Sequence, residues 1–174
     1  MNERAIYGLA MPFNDAYWNY NKLTNTYTFE KTNRESVYLD NVVGATIGHD
    51  YEQELGRTDR GTLCIHINDR GLFFKIIPDS PLAWDAYRKV KKNQIRHCSL
   101  SFKVKQERDF KEEQRAAELF ELLNWKEKII VQDYKMIKVF EVCICNSPAN
   151  KDTWCTTNKN DPRLKGIQWE SDSK

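Results

Sequence analysis

The chain has 174 residues, 40% hydrophobic and 30% charged, with a formal net charge of +2. That is enough chain for one buried core, and the composition is that of a folded soluble protein rather than a disordered one. It excludes a helical membrane span, because no apolar run approaches the roughly 18 residues required, and +2 is too small a charge to point by itself to nucleic acid.

The first residues, Met1 to Ala5, carry no apolar core of a secretory signal, so a cleaved leader is not expected. Five cysteines, an odd number without framework spacing, predict a reduced, cytoplasmic setting. Ala5 to Ala10 reads as a short strand stopped by Pro12. Asn14 to Asn25, rich in Asn and Tyr, reads as a loop. Tyr27 to Lys31 and Val37 to Ile47 read as strands.

Two similar turns follow ten residues apart, Asp59-Arg60-Gly61 and Asp69-Arg70-Gly71. Each ends in a glycine suited to a tight hairpin. Between them Leu63, Ile65 and Ile67 alternate with polar or small residues, the period of a half-buried strand. Leu72 to Ile77 is almost uniformly apolar, as in a strand covered on both faces. The segment from Glu54 to Ile77 is therefore predicted to form a three-stranded antiparallel meander.

Ser80 and Pro81 open a helix, the serine as N-cap and the proline where its missing N–H costs nothing. Leu82, Ala86 and Val90 form its apolar stripe, and Arg88, Lys89, Lys91 and Lys92 favour its C-terminal half. Ile95 to Val104 is the next strand. Gln106 to Asn124 predicts a second, highly charged helix with Phe110, Ala117, Phe120 and Leu123 on one side. Lys128 to Asp133 and Met136 to Cys145 complete the strands, ended by Ser147-Pro148. Residues 1–155 are read as one domain, and 156–174 as a polar, flexible tail.

Several residues could carry chemistry. On a strand, His97, Ser99 and Ser101 share one face, while Cys98, Leu100 and Phe102 share the other. Ser99 is thus placed away from the core, which suits a nucleophile and equally suits an ordinary exposed serine. His49, after Gly48, could be a base or simply a turn residue. Glu141 interrupts the apolar run Met136 to Ile144. A buried carboxylate there would need a partner, whereas on an edge strand it would lie in water beside Lys138. Cys143 and Cys145, with Cys98, Cys155, His97 or His49, could supply four zinc ligands, but the paired knuckles of structural zinc sites are absent.

Together these pieces resemble the prohead proteases of tailed bacteriophages, serine endopeptidases that mature capsids. The resemblance runs from about Ile6 to Thr153. It is carried by Gly8-Leu9-Ala10-Met11-Pro12-Phe13-Asn14, Gly48-His49-Asp50, Leu55-Gly56-Arg57-Thr58, Asp69-Arg70-Gly71-Leu72-Phe73-Phe74, the helix at Asp85 to Lys92, Ser99-Leu100-Ser101-Phe102, and Phe140-Glu141-Val142-Cys143-Ile144-Cys145-Asn146-Ser147-Pro148-Ala149. No single piece is specific; their order and spacing are. Ser101 stands where the family usually has glycine, and Cys143 where it has a small hydroxyl residue.

The resemblance implies an α+β fold, mainly an antiparallel β-barrel with a few surrounding helices, related to herpesvirus assemblin. It implies Ser99 as nucleophile, His49 as general base and Glu141 as third member, with His66 and His97 as rivals for that last role. It further implies cleavage of the scaffolding segment of the major capsid protein precursor, self-cleavage and self-association inside the procapsid, in the cytoplasm of the infected bacterium. This chemistry needs no cofactor, and the cysteine spacing, charge and hydropathy argue against metal, nucleic acid and membrane. The alternatives are a catalytically inactive assembly factor of the same fold and, more remotely, a zinc-dependent binding module.

Overall fold

The computed structural model describes residues 4–13, 17–21, 26–108 and 128–169. Among the described residues, ten strands and one α-helix follow in the order β1 (Ile6–Pro12), β2 (Tyr17–Asn21), β3 (Thr26–Lys31), β4 (Val37–Ile47), β5 (Asp50–Arg57), β6 (Leu63–Asn68), β7 (Gly71–Ile76), α1 (Pro81–Lys91), β8 (His97–Arg108), β9 (Lys128–Cys145) and β10 (Trp154–Thr156). One sheet has the order β10-β1-β7-β6. The other runs β2-β3-β9-β4-β5, with β8 also paired to β9.

An α+β class holds broadly, but the expected barrel is not seen: among the described residues neither sheet closes on itself. Nor is the second sheet wholly antiparallel. Both β3 and β4 lie parallel to β9, while β8 pairs with it in the antiparallel sense from His97↔Cys145 to Arg108↔Asp133.

The predicted meander divides between the two sheets. The hairpin β6–β7 forms as its turn sequence requires, in register from Leu63↔Ile76 to Asn68↔Gly71. The preceding turn instead winds into a 3₁₀ segment, Thr58–Arg60. This sends the chain from one sheet to the other, so β5 pairs with β4 and not with β6. The stretch read as a loop contains β2, hydrogen-bonded to β3. The two strands read between Lys128 and Cys145 are one, β9. Of the expected charged helix, residues 106–108 form the end of β8 and the remainder lies outside the described residues.

The helix α1 starts where its cap predicts: the Ser80 hydroxyl accepts the Ala83 N–H at 3.1 Å. It ends on Asn93 at φ 57°, where the Asn93 N–H bonds the Val90 carbonyl and the Gln94 N–H that of Lys89. This is the left-handed C-terminal closure that asparagine tolerates.

The main core lies between the sheets. It joins Ile6, Leu72, Phe74 and Ile76 of the first sheet to Ala45, Ile137, Val139, Val142 and Ile144 of the second, with Ala83, Ala86 and Val90 of α1. Every residue of β7 is buried, because the other face of its sheet is also covered. There Tyr7, Phe73 and Trp154 meet Leu164, Ile167 and Trp169. The segment expected to be a loose tail from 156 therefore packs through residue 169. Arg163 stacks 4.0 Å over the Trp154 ring, and the Arg70 guanidinium donates to the carbonyls of Arg163 and Lys165.

Candidate active site

Strand β9 is the middle of the site. On one side the register is Gly44↔Glu141, Ala45↔Val142, Thr46↔Cys143 and Ile47↔Ile144. On the other it is Ser101↔Glu141, Leu100↔Val142, Ser99↔Cys143 and Cys98↔Ile144. Strand alternation then puts Ser99, Ser101, Glu141, Cys143 and Thr46 on one face. Ala45, Cys98, Val142 and Ile144 fall on the face that enters the main core.

The histidine arrives on a two-residue turn. Gly48 and His49 both have φ 61° and connect the paired residues Ile47 and Asp50, a hairpin turn with left-handed backbone at both central positions. Glycine takes this conformation freely; for the histidine it costs about 1–2 kcal/mol. The turn is tied down against β9. The Gly48 N–H donates to the Ile144 carbonyl at 3.1 Å, and the His49 N–H donates to Cys143 Sγ at 3.1 Å.

So held, the imidazole meets Glu141. His49 Nδ1 lies 2.8 Å from Glu141 Oε2; the histidine side chain is 40% exposed and the glutamate's 1%. Glu141 is therefore neither on an edge strand nor beside Lys138, whose ammonium instead pairs with Asp40 at 2.8 Å. Thr46 Oγ1 donates to Glu141 Oε1 at 2.5 Å, Ser101 Oγ donates to Oε2, and the Tyr51 hydroxyl approaches Oε2 at 3.4 Å. Burial pushes the Glu141 carboxyl up, but the hydrogen bonds from Ser101, Thr46 and His49 outweigh it and hold the group below its usual range, since each donor favours the anion.

The two serines of the strand differ. Ser101 Oγ lies 3.2 Å from His49 Nδ1, whereas no hydrogen bond joins Ser99 to His49 among the described residues. Ser99 instead borders a cleft of about 150 Å³, shared with Met11, Leu100, Phe102, Asn150 and Thr153. Thr153 fastens that wall of the cleft to β8, donating to the Cys98 carbonyl at 2.5 Å. His49 is not among the residues lining it.

The rival third members lie elsewhere. His97 Nδ1 is 2.8 Å from the Thr153 carbonyl oxygen, and His66 stands on β6 in the other sheet, opposite Phe73. Among the described residues no three His, Cys, Asp or Glu side chains converge as a metal site. Three of the thiols are pushed up: burial holds Cys98 well up and lifts Cys155 to about 12, and Cys143 is raised by its hydrogen bond with Cys145 and by burial. All three thus carry their protons at neutral pH and are poor nucleophiles.

The sequence reading did not find Thr46, Tyr51 or the Ser101 contact. The alternation Gly44-Ala45-Thr46-Ile47 put Thr46 on a face with Gly44. Only the β4–β9 register reveals that Glu141 shares that face.

Neither the comparison with curated proteins nor that with solved structures returned a match. The family-model comparison did: the model of the caudovirus prohead serine proteases matches residues 1–164 of the 174. With a polar strand face that carries serines and a buried carboxylate, a histidine turned onto that carboxylate, and a match over nearly its whole length, the chain belongs to the caudovirus prohead serine protease family.

Proposed function

We propose that the protein is an active serine endopeptidase in which Ser99 is the nucleophile, His49 the general base and Glu141 the carboxylate that orients it. The observation that carries this reading is the 2.8 Å contact between His49 Nδ1 and the buried Glu141 Oε2. With Nδ1–H donated to the carboxylate, the lone pair on Nε2 is left to take a proton. Ser99 Oγ attacks the scissile carbonyl as its proton passes to Nε2, and the carbonyl electron pair moves onto oxygen. Collapse of the tetrahedral adduct breaks the C–N bond, and the leaving amine takes the proton from Nε2. Water then releases the acyl group by the same route. Ser99 borders the cleft where an extended peptide could lie, whereas Ser101 meets Nδ1, the nitrogen already engaged by Glu141.

The substrate is the scaffolding segment of the capsid protein precursor, cut inside the procapsid. The family supports a capsid maturation protease; in this reading the protease also trims itself and associates with copies of itself there. Co-expression with the capsid precursor, followed by intact mass, tests it: the precursor is shortened by the native chain and left whole by Ser99→Ala and His49→Ala. Undiminished cleavage by Ser99→Ala overturns the nucleophile. Cleavage lost in Ser101→Ala, with a serine-directed fluorophosphonate on Ser101, moves that role two residues along the strand. No cleavage by the native chain favours an assembly factor of the same fold.

A further inference from the structure

We infer that Ser101 is a positioning residue that clamps the Glu141 carboxylate, and through it the His49 ring, in the arrangement the base requires. The inference rests on the protease reading above and adds a fourth side chain to its machinery.

The geometry assigns the role. Glu141 is met from three elements: Thr46 of β4 on Oε1, and on Oε2 the His49 ring from the β4–β5 turn together with the Ser101 hydroxyl from β8. Tyr51 of β5 adds a longer approach to Oε2, and Cys143, two residues along β9, holds the His49 backbone rather than the carboxylate. A carboxylate on a strand can still turn about its side-chain bonds. A donor on each oxygen, from strands on opposite sides of β9, fixes its plane. Ser101 is directly across from Glu141 in the β8–β9 register, the placement in which cross-strand side chains approach most closely.

The same contacts make Ser101 a poor nucleophile. Its hydrogen is committed to Glu141 Oε2, and the ring nitrogen within reach, Nδ1 at 3.2 Å, is the one that donates to the same oxygen. A hydroxyl attacks only when a base removes its proton, and at Ser101 the nearest acceptor is the carboxylate meant to remain ionised.

The test uses the full chain as Ser101→Ala and Ser101→Thr. Ser101→Ala is expected to lower kcat on the capsid precursor roughly tenfold, the scale of one lost hydrogen bond to a charged group, with KM unchanged. The Glu141 carboxyl of this variant titrates at higher pH, because a carboxylate with one donor fewer protonates more readily. Ser101→Thr, which keeps the hydroxyl, restores both. Carbon-13 NMR of the Glu141 carboxyl, assigned with Glu141→Gln, follows the same clamp without any turnover: its titration moves up in pH in Ser101→Ala and returns in Ser101→Thr. An unmoved titration overturns the clamp, and abolished cleavage with the fluorophosphonate on Ser101 replaces it with a nucleophile. Should the native chain not cleave at all, the protease reading fails while the carboxyl titration still decides what Ser101 does.

Discussion

His49 Nδ1 and Glu141 Oε2 stand 2.8 Å apart, although 92 residues separate them and one lies in the β4–β5 turn and the other on β9. The contact exists because β4 runs parallel to β9 and its final turn folds back over it. Gly48 and His49 are each hydrogen-bonded to β9 through their backbone N–H groups. The ring is thus aimed by the backbone and its tautomer by the carboxylate, two independent constraints on one imidazole.

Replacing Glu141 by glutamine separates them. The amide fits the same space and leaves the turn intact, but it presents an N–H₂ group or a neutral oxygen where an anion stood. The tautomer is no longer enforced and the imidazolium of the transition state loses its counter-charge. Cleavage by Glu141→Gln is expected to fall on the order of 10³- to 10⁴-fold, as when other triads lose the same control, while circular dichroism remains native. A rate equal to the native chain's would remove Glu141 from the chemistry.

The same carboxylate makes stability depend on pH. Its folded pKa lies below the usual value, so it contributes stability that is fully present above about pH 4.3, the ordinary glutamate pKa. That contribution fades as pH falls through the lower folded value. Glutamine cannot titrate. Urea unfolding of the native chain and of Glu141→Gln between pH 7 and pH 3 should therefore give curves that converge in acid, with the native chain losing more. Parallel curves would mean that the hydrogen bonds at Glu141 do not favour its anion.

How much of this could be read in the chain depends on the distance over which each signal acts. Local chemistry was legible: the Ser80 cap, the β6–β7 hairpin and the two-sided burial of β7 follow from residues within a few positions of one another. The division of the expected meander was not, since a glycine-terminated turn after Asp59 and Arg60 serves a hairpin or a crossover equally well. Which strands lie parallel to β9 is set by packing between distant segments, and with it went the barrel expectation and the donors from Thr46 and Ser101. Strand parity put Ser99 and Ser101 on one face. It could not say which of them the histidine would touch, because the tilt of a turn over a strand leaves no trace in a period of two.

The C-terminal segment illustrates the same limit and yields the last expectation. By composition, residues 156–174 are polar, yet Leu164, Ile167 and Trp169 are spaced so that their side chains reach Tyr7, Phe73 and Trp154 on the outer face of the first sheet. Leu164 is only 7% exposed, inside a 3₁₀ turn capped by Asp161, which accepts the Arg163 N–H at 3.0 Å. Leu164→Ala should then cost about 2–4 kcal/mol of folding stability, the range for emptying a buried leucine site, read as a lower urea midpoint. Because β10, which begins at Trp154, follows directly on Thr153, and Thr153 fastens the cleft wall to Cys98, the loosened face should also expose the chain near residue 153 to added trypsin at Lys151. A midpoint within about 0.5 kcal/mol of the native value, the size of an ordinary surface substitution, would show that the segment rests on the sheet without holding it.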